Sequence, residues 1–190
     1  MTERTLPPTA HLIPPEAERV FHGMIFDVYQ WPQRLYDGSM ATFEMLRRPD
    51  TVAVFALEDD DTVLTLDEEQ PGGIHRVGGV PVGRVDPEDP TVLAAAQREL
   101  REETGVECAR WRLLTVTQPE AKIEWFVHVF AACEVTARGP QHLDAGEQIR
   151  VVRTPYAQVL RGRHAGPLAP FAQPSELRRF LSSPVDGAEN

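Results

Sequence analysis

The sequence predicts a mixed α/β domain, on three observations. A single amphipathic helical pattern over residues 90–103 lies between strand-like hairpins. A small antiparallel unit with its own turn signal precedes it, and no repeat or linker divides the pattern. The 190 residues suit one domain with a small extension, and the 42% hydrophobic and 25% charged content is that of a globular protein with a full core.

Residues 1–17 hold four prolines and no periodicity, and read as a mobile or draped arm. Structure is expected to begin at Val20. Residues 24–31 and 39–46 are strand-like, and Asp37-Gly38 between them signals a hairpin. Residues 51–57 form an apolar run ended by Glu58, Asp59, Asp60 and Asp61, and a strand over 62–66 completes a buried hairpin. The glycine-rich residues 71–83 suit a loop that lets backbone approach a ligand.

The helix of 90–103 carries Val92, Leu93, Ala96 and Leu100 on one stripe, with Asp89 and Pro90 as N-cap and first helical residue and Gly105 as C-terminal cap. Strands are expected over 111–117, 123–135 and 148–153, a helix beginning in 155–160, and a short helix over 175–181. The resulting division is an arm over 1–17, a β unit over 18–48, the main domain over 49–182 and a frayed tail over 183–190.

A net charge of −10 argues against nucleic-acid binding, which needs a basic footprint, and leaves small phosphorylated ligands to local cations. No run of eighteen apolar residues and no secretory pattern occurs, so no membrane contact is expected and the cytoplasm is the default. Cys108 and Cys133 lack metal-ligand spacing and read as small buried hydrophobes. His128 and His142 have no second ligand at metal spacing, and Phe26, Val28, Phe43 and Met45 alternate as core residues do.

Chemistry concentrates in Arg98-Glu99-Leu100-Arg101-Glu102-Glu103-Thr104-Gly105. Glu99, Glu102 and Glu103 stand at i, i+3 and i+4, so three like charges share one helix face at a cost of roughly 0.2–0.5 kcal/mol per pair. A hard divalent cation with oxygen ligands would relieve that repulsion. A solvated charged face, with Arg98 and Glu102 as an ordinary ion pair, is the alternative.

The glycine turn, the helix and the closing Gly105-Val106 together resemble the signature of the Nudix hydrolases, and the second half matches at every defined position. Fourteen residues separate Gly83 from Arg98 where the signature has thirteen, so the position of its first glutamate falls at Asp89 or Pro90. The resemblance implies an α/β/α sandwich around a mixed sheet, and Mg2+ or Mn2+ held by Glu99, Glu102, Glu103 and the carbonyl of Val82. Arg98 would orient a carboxylate.

Residues 20–28 and 42–44 are similar to ADP-ribose pyrophosphatases in particular, which implies a homodimer built through the N-terminal sheet. By the same resemblance Glu147 is a metal ligand or base, and Glu124 a substrate-side glutamate. Arg48 and Arg76 are the implied phosphate contacts, His75 being the other residue able to stand in for the missing Gln-x-Arg turn. Glu102 and Glu103 join Glu147 as catalytic carboxylates. The implied reaction is hydrolysis of a nucleoside diphosphate linked to a sugar, ADP-ribose foremost, to a nucleoside monophosphate and a sugar phosphate. Other nucleotide sugars, nucleoside di- and triphosphates, and a catalytically weakened nucleotide-binding module are the alternatives.

Overall fold

In the computed structural model of the protein, residues 5–59, 62–159 and 180 are described. The helix expected over 175–181, Phe180 apart, and the tail lie outside them. The described strands are β1 (Glu18–His22), β2 (Asp27–Arg34), β3 (Met40–Arg47), β4 (Thr51–Asp59), β5 (Thr62–Gln70), β6 (Ile74–Gly79) and β7 (Val82–Arg84). Helix α1 (Val92–Thr104) follows, then β8 (Val106–Thr117), β9 (Ile123–Glu124), β10 (Val127–Arg138), β11 (Gln148–Pro155) and the short α2 (Tyr156–Val159).

The strands form two sheets. A small one runs β1-β2-β3-β9, and a large one runs β11-β5-β4-β10-β8 with β6 beside β5 and β7 beside β4. The large sheet is mixed, since β10 runs parallel to β4 and antiparallel to β8. Strand β4 alternates perfectly between two cores. Val52, Val54 and Ala56 pack toward Ala95, Ala96 and Leu100 of α1, whereas Ala53, Phe55 and Leu57 pack with Tyr156 and Val159 of α2 and with Phe180. A strand buried on both faces must be apolar throughout, and that is why 51–57 reads as an unbroken run. The result is the α/β/α sandwich that was expected.

The small sheet has its own core of Ile13, Trp31 and Met45. Ile13 donates its N–H to Glu124 at 2.7 Å, and Gln118 bonds both backbone groups of His11, so this part of the N-terminal arm is draped against the protein.

Several elements differ from expectation. The glycine-rich stretch contains two strands, because β4 and β5 pair only near their shared turn and then splay. Strand β7 fills the gap beside β4, and β6 adds itself to β5. The strand expected over 123–135 is divided, because Phe126 N–H turns to the Asp50 carboxylate as the chain passes from the small sheet to the large one. Helix α1 begins two residues late. Thr91, in extended backbone, caps it by accepting from Ala94 N–H at 3.0 Å. Gly105 ends it at φ 72°, a conformation that favours glycine. Among the described residues no helix is long and apolar enough to cross a membrane.

Candidate active site

The splay between β4 and β5 creates the site. It lets β7 lie between β4 and α1, so that backbone rather than side chain meets the acidic face of the helix. Gly83 is in direct contact with Glu99: a Cβ there would fall 1.8 Å from the Glu99 carboxyl carbon, so any side chain at this position would require the Glu99 carboxylate to move. One residue earlier, Val82 N–H donates to Glu103 Oε2 at 3.1 Å.

Glu103 is 6% exposed, yet among the described residues no cation pairs with it. Burial, reinforced by the Glu99 charge, pushes its pKa up to about 9. Glu99 is pushed up to about 7, again chiefly by burial, although Arg98 opposes the shift. Two carboxylates held in a dry site with too little positive charge are poised to take a cation.

Arg98 organises the rest. Its Nε and Nη2 grip both Asp89 oxygens at 3.0 and 2.9 Å, its Nη1 reaches Glu99 at 2.8 Å and Glu102 at 3.0 Å, and Nη2 also donates to the Arg84 carbonyl. Asp89 holds the guanidinium protonated more firmly, and the same contact pulls the Asp89 pKa down. This planar fork joins two carboxylates of α1 to the loop that precedes it.

Glu147 arrives from a different part of the chain, the turn before β11. Its N–H and side chain both close onto Asp144, and burial followed by the charges of Asp144, Glu68 and Glu102 raises its pKa. Its field also raises Glu99 and Glu103, so Glu99, Glu102, Glu103 and Glu147 lie within electrostatic reach of one another. The Glu147 turn leans on the tip of the β5–β6 hairpin, where a Cβ on Gly146 would stand 3.6 Å from Pro71 Cγ.

Among the described residues no three acidic, cysteine or histidine side chains are drawn around one point as metal ligands. Glu99 and Glu102 bond Arg98, Glu103 bonds Val82, and Glu147 bonds Asp144. The donor set is nevertheless all oxygen and under-neutralised, which fits a hard divalent ion.

A family model, the NUDIX domain, matches residues 47–173, a span that contains β7, α1 and Glu147. The chain belongs to the Nudix family. It is 28% identical to an ADP-ribose pyrophosphatase of Bacillus subtilis (strain 168) over 148 residues, covering 76% of this chain and 78% of that protein. It is also 28% identical over 120 residues to a methanol dehydrogenase activator of Bacillus methanolicus, covering 62% and 63% respectively. A crystal structure of an ADP compounds hydrolase shares the fold with a TM-score of 0.64 at 19% identity, covering 88% of this chain and 89% of that one.

The long Nudix box is accommodated before the helix. Asp86 and Asp89 close a turn on each other, with Asp89 N–H on the Asp86 carbonyl and Asp86 N–H on the Asp89 carboxylate. Asp89, counted forward from Gly83, thereby stands where the signature has its first glutamate, and it serves Arg98 rather than the N-terminus of α1. The helix from Arg98 onward is undisturbed.

The remaining expected site residues are dispersed. Arg48 stacks on Trp125 at 4.6 Å and Phe26 at 5.6 Å, its Nε is buried without a partner, and burial with the nearby Arg84 charge lowers its pKa. Arg76 projects from β6 and pairs with Glu68 at 3.3 Å, while the exposed His75 faces Glu69 at 3.8 Å. Glu124 is buried and engaged by Arg47 at 3.1 Å and by Ile13 N–H, so it ties the draped arm to the small sheet. Sequence reasoning missed Asp86 and Glu68. Glu68 sits in the triplet Asp67-Glu68-Glu69, which looks like solvated surface until strand alternation turns Glu68 toward Glu103 and Glu147.

Proposed function

We propose that this Nudix protein hydrolyses the diphosphate bond of a nucleoside diphosphate linked to a sugar, ADP-ribose foremost, giving a nucleoside monophosphate and a sugar phosphate. One observation carries the reading: buried, under-neutralised Glu99 and Glu103 lie within electrostatic reach of Glu147, which comes from an independent loop. The name of the Bacillus subtilis relative supports the choice of ADP-ribose.

Glu99, Glu103 and Glu102, with the Val82 carbonyl and Glu147, would hold Mg2+ or Mn2+. Such an ion supplies charge neutralisation on the phosphate oxygens and a water of lowered pKa. The protein's own residues do the positioning. Arg98 fixes the directions of Glu99 and Glu102 through its contacts with them and with Asp89. Arg48, close to Arg84 and with an unpartnered Nε, is a natural contact for a phosphate oxygen, and Arg76 is its counterpart across the hairpin.

Glu147, whose raised pKa brings it nearer neutrality, takes the proton of the attacking water. As that oxygen bonds to phosphorus, the bond from phosphorus to the bridging oxygen breaks and its electron pair leaves with the departing phosphate. Glu102 and Glu103 complete the acidic face on which this charge transfer depends.

A homodimer formed through the small sheet suits the exposed Val20, Phe21, Met24 and Ile25, which stand on β1 and the turn that joins it to β2. The acidic surface favours a small-molecule nucleotide substrate over nucleic acid, and a cytoplasmic setting follows the same reading.

The test is a panel of ADP-ribose, UDP-glucose, GDP-mannose, ADP and ATP incubated with Mg2+ or with chelator, with products separated by ion exchange. AMP and ribose 5-phosphate from ADP-ribose, lost on chelation, are expected. Turnover of no diphosphate overturns the proposal, and binding of ADP-ribose without turnover identifies a nucleotide-binding module.

A further inference from the structure

Glu68 is an acidic group near Glu103 and Glu147 that the reaction above leaves without a task. Its side chain is 14% exposed, and its two oxygens are divided between Gln70 Nε2 and Arg76 Nη1. Strand pairing sets this up, because Glu68 on β5 stands directly opposite Arg76 on β6 and opposite Ile149 on β11, so all three share one face of the sheet. Glu68 also acts electrostatically on Glu103 and Glu147, which places that face toward the carboxylate cluster.

Arg76 has five N–H donors and, among the described residues, a hydrogen bond from only one of them, to Glu68. More than half of its side chain is exposed, at the edge of the sheet. A long arginine on an exposed edge strand would otherwise sample many rotamers, at a cost when a ligand fixes one. Glu68, itself held by Gln70, removes that freedom beforehand.

We infer that Glu68 is a positioning residue for substrate recognition: it holds Arg76 at the rim of the cleft with its remaining donors available to a phosphate oxygen of the nucleotide sugar. The inference rests on the proposed function, whose phosphate contacts include Arg76. It also explains how this chain places a phosphate arginine without the Gln-x-Arg turn, since Glu68 brings one from the returning strand instead.

A double-mutant cycle separates this role from a structural or catalytic one. Wild type, Glu68→Gln, Arg76→Ala and the double variant are compared for ADP-ribose hydrolysis with Mg2+, for ADP-ribose binding by calorimetry without metal, and for melting temperature. Glu68→Gln should raise KM and the metal-free Kd by about five- to tenfold with kcat within about twofold, and should add nothing once Arg76 is gone. Glu68→Asp, which keeps the charge but draws it back from Arg76, should give a smaller shift of the same kind. Additive losses in the double variant, a fall in kcat at constant KM, or unchanged KM and Kd overturn the inference while leaving the hydrolase reading intact. A wild type that neither hydrolyses nor binds ADP-ribose or another nucleotide sugar overturns both.

Discussion

Helix α1 and the β5–β6 hairpin both bring carboxylates within electrostatic reach of Glu147, and they hold their charges in opposite ways. On α1 the carboxylates are buried or half-buried, tied to Arg98 and to the backbone of β7, and Glu99 packs directly against Gly83. On the hairpin Glu68 forms a single ion pair with Arg76 and Glu69 faces His75 at 3.8 Å, and both basic side chains are mostly exposed. A rigid, over-determined cluster suits chemistry that must meet a metal and a water at fixed positions. An adjustable rim suits the choice of what is brought to it. The difference is the one expected if reaction and substrate choice reside in separate elements.

The largest effect that would break this division is at Glu103. Glu103→Gln should lower kcat by more than about a hundredfold for every substrate the protein accepts, measured at saturating Mg2+. The same change should stabilise the metal-free protein at pH 8. A glutamate whose folded pKa lies near 9 against 4.5 unfolded contributes stability that is complete below about 4.5 and lost as pH rises toward 9. Thermal melts of wild type across that window should therefore fall with pH more steeply than those of the variant, and Mg2+ should close the gap.

Next comes the Arg98 fork. Arg98→Lys keeps the charge but cannot grip both oxygens of Asp89 while reaching Glu99 and Glu102, so a loss of about 10–100-fold in Mg2+ affinity is expected from titrating activity against metal. Asp89→Asn should fall in the same range, confirming that the long box still supplies an acid to Arg98. Gly83→Ala puts a methyl group where the Glu99 carboxylate stands and should displace it, so activity should fall while stability by chemical denaturation changes little. The smallest effect belongs to the N-terminal sheet. Phe21→Ser with Met24→Ser should leave the fold intact and shift the species seen in light scattering from dimer to monomer.

How far these features can be read in the sequence follows the range of the forces behind them. The register of α1 and its shared acidic face are local consequences of helix periodicity, and Arg98 to Gly105 announces them completely. Strand β4 is equally plain because both of its faces are buried. The N-cap is less so. Asp89-Pro90 is a good local start signal, but Arg98 offers Asp89 a stronger partner, and Thr91 caps instead. Strands β6 and β7 exist because β4 and β5 splay, a tertiary event that no glycine count reveals. Glu68 becomes visible only when the pairing of Glu68 with Arg76 is known.

The most direct test is to measure kcat and KM for ADP-ribose with wild type, Glu103→Gln and Arg76→Ala in the same saturating Mg2+ buffer. If reaction and substrate recognition reside in separate elements, Glu103→Gln lowers kcat with little change in KM, whereas Arg76→Ala raises KM with little change in kcat. A loss carried by KM in Glu103→Gln, or a fall in kcat at constant KM in Arg76→Ala, would contradict the account.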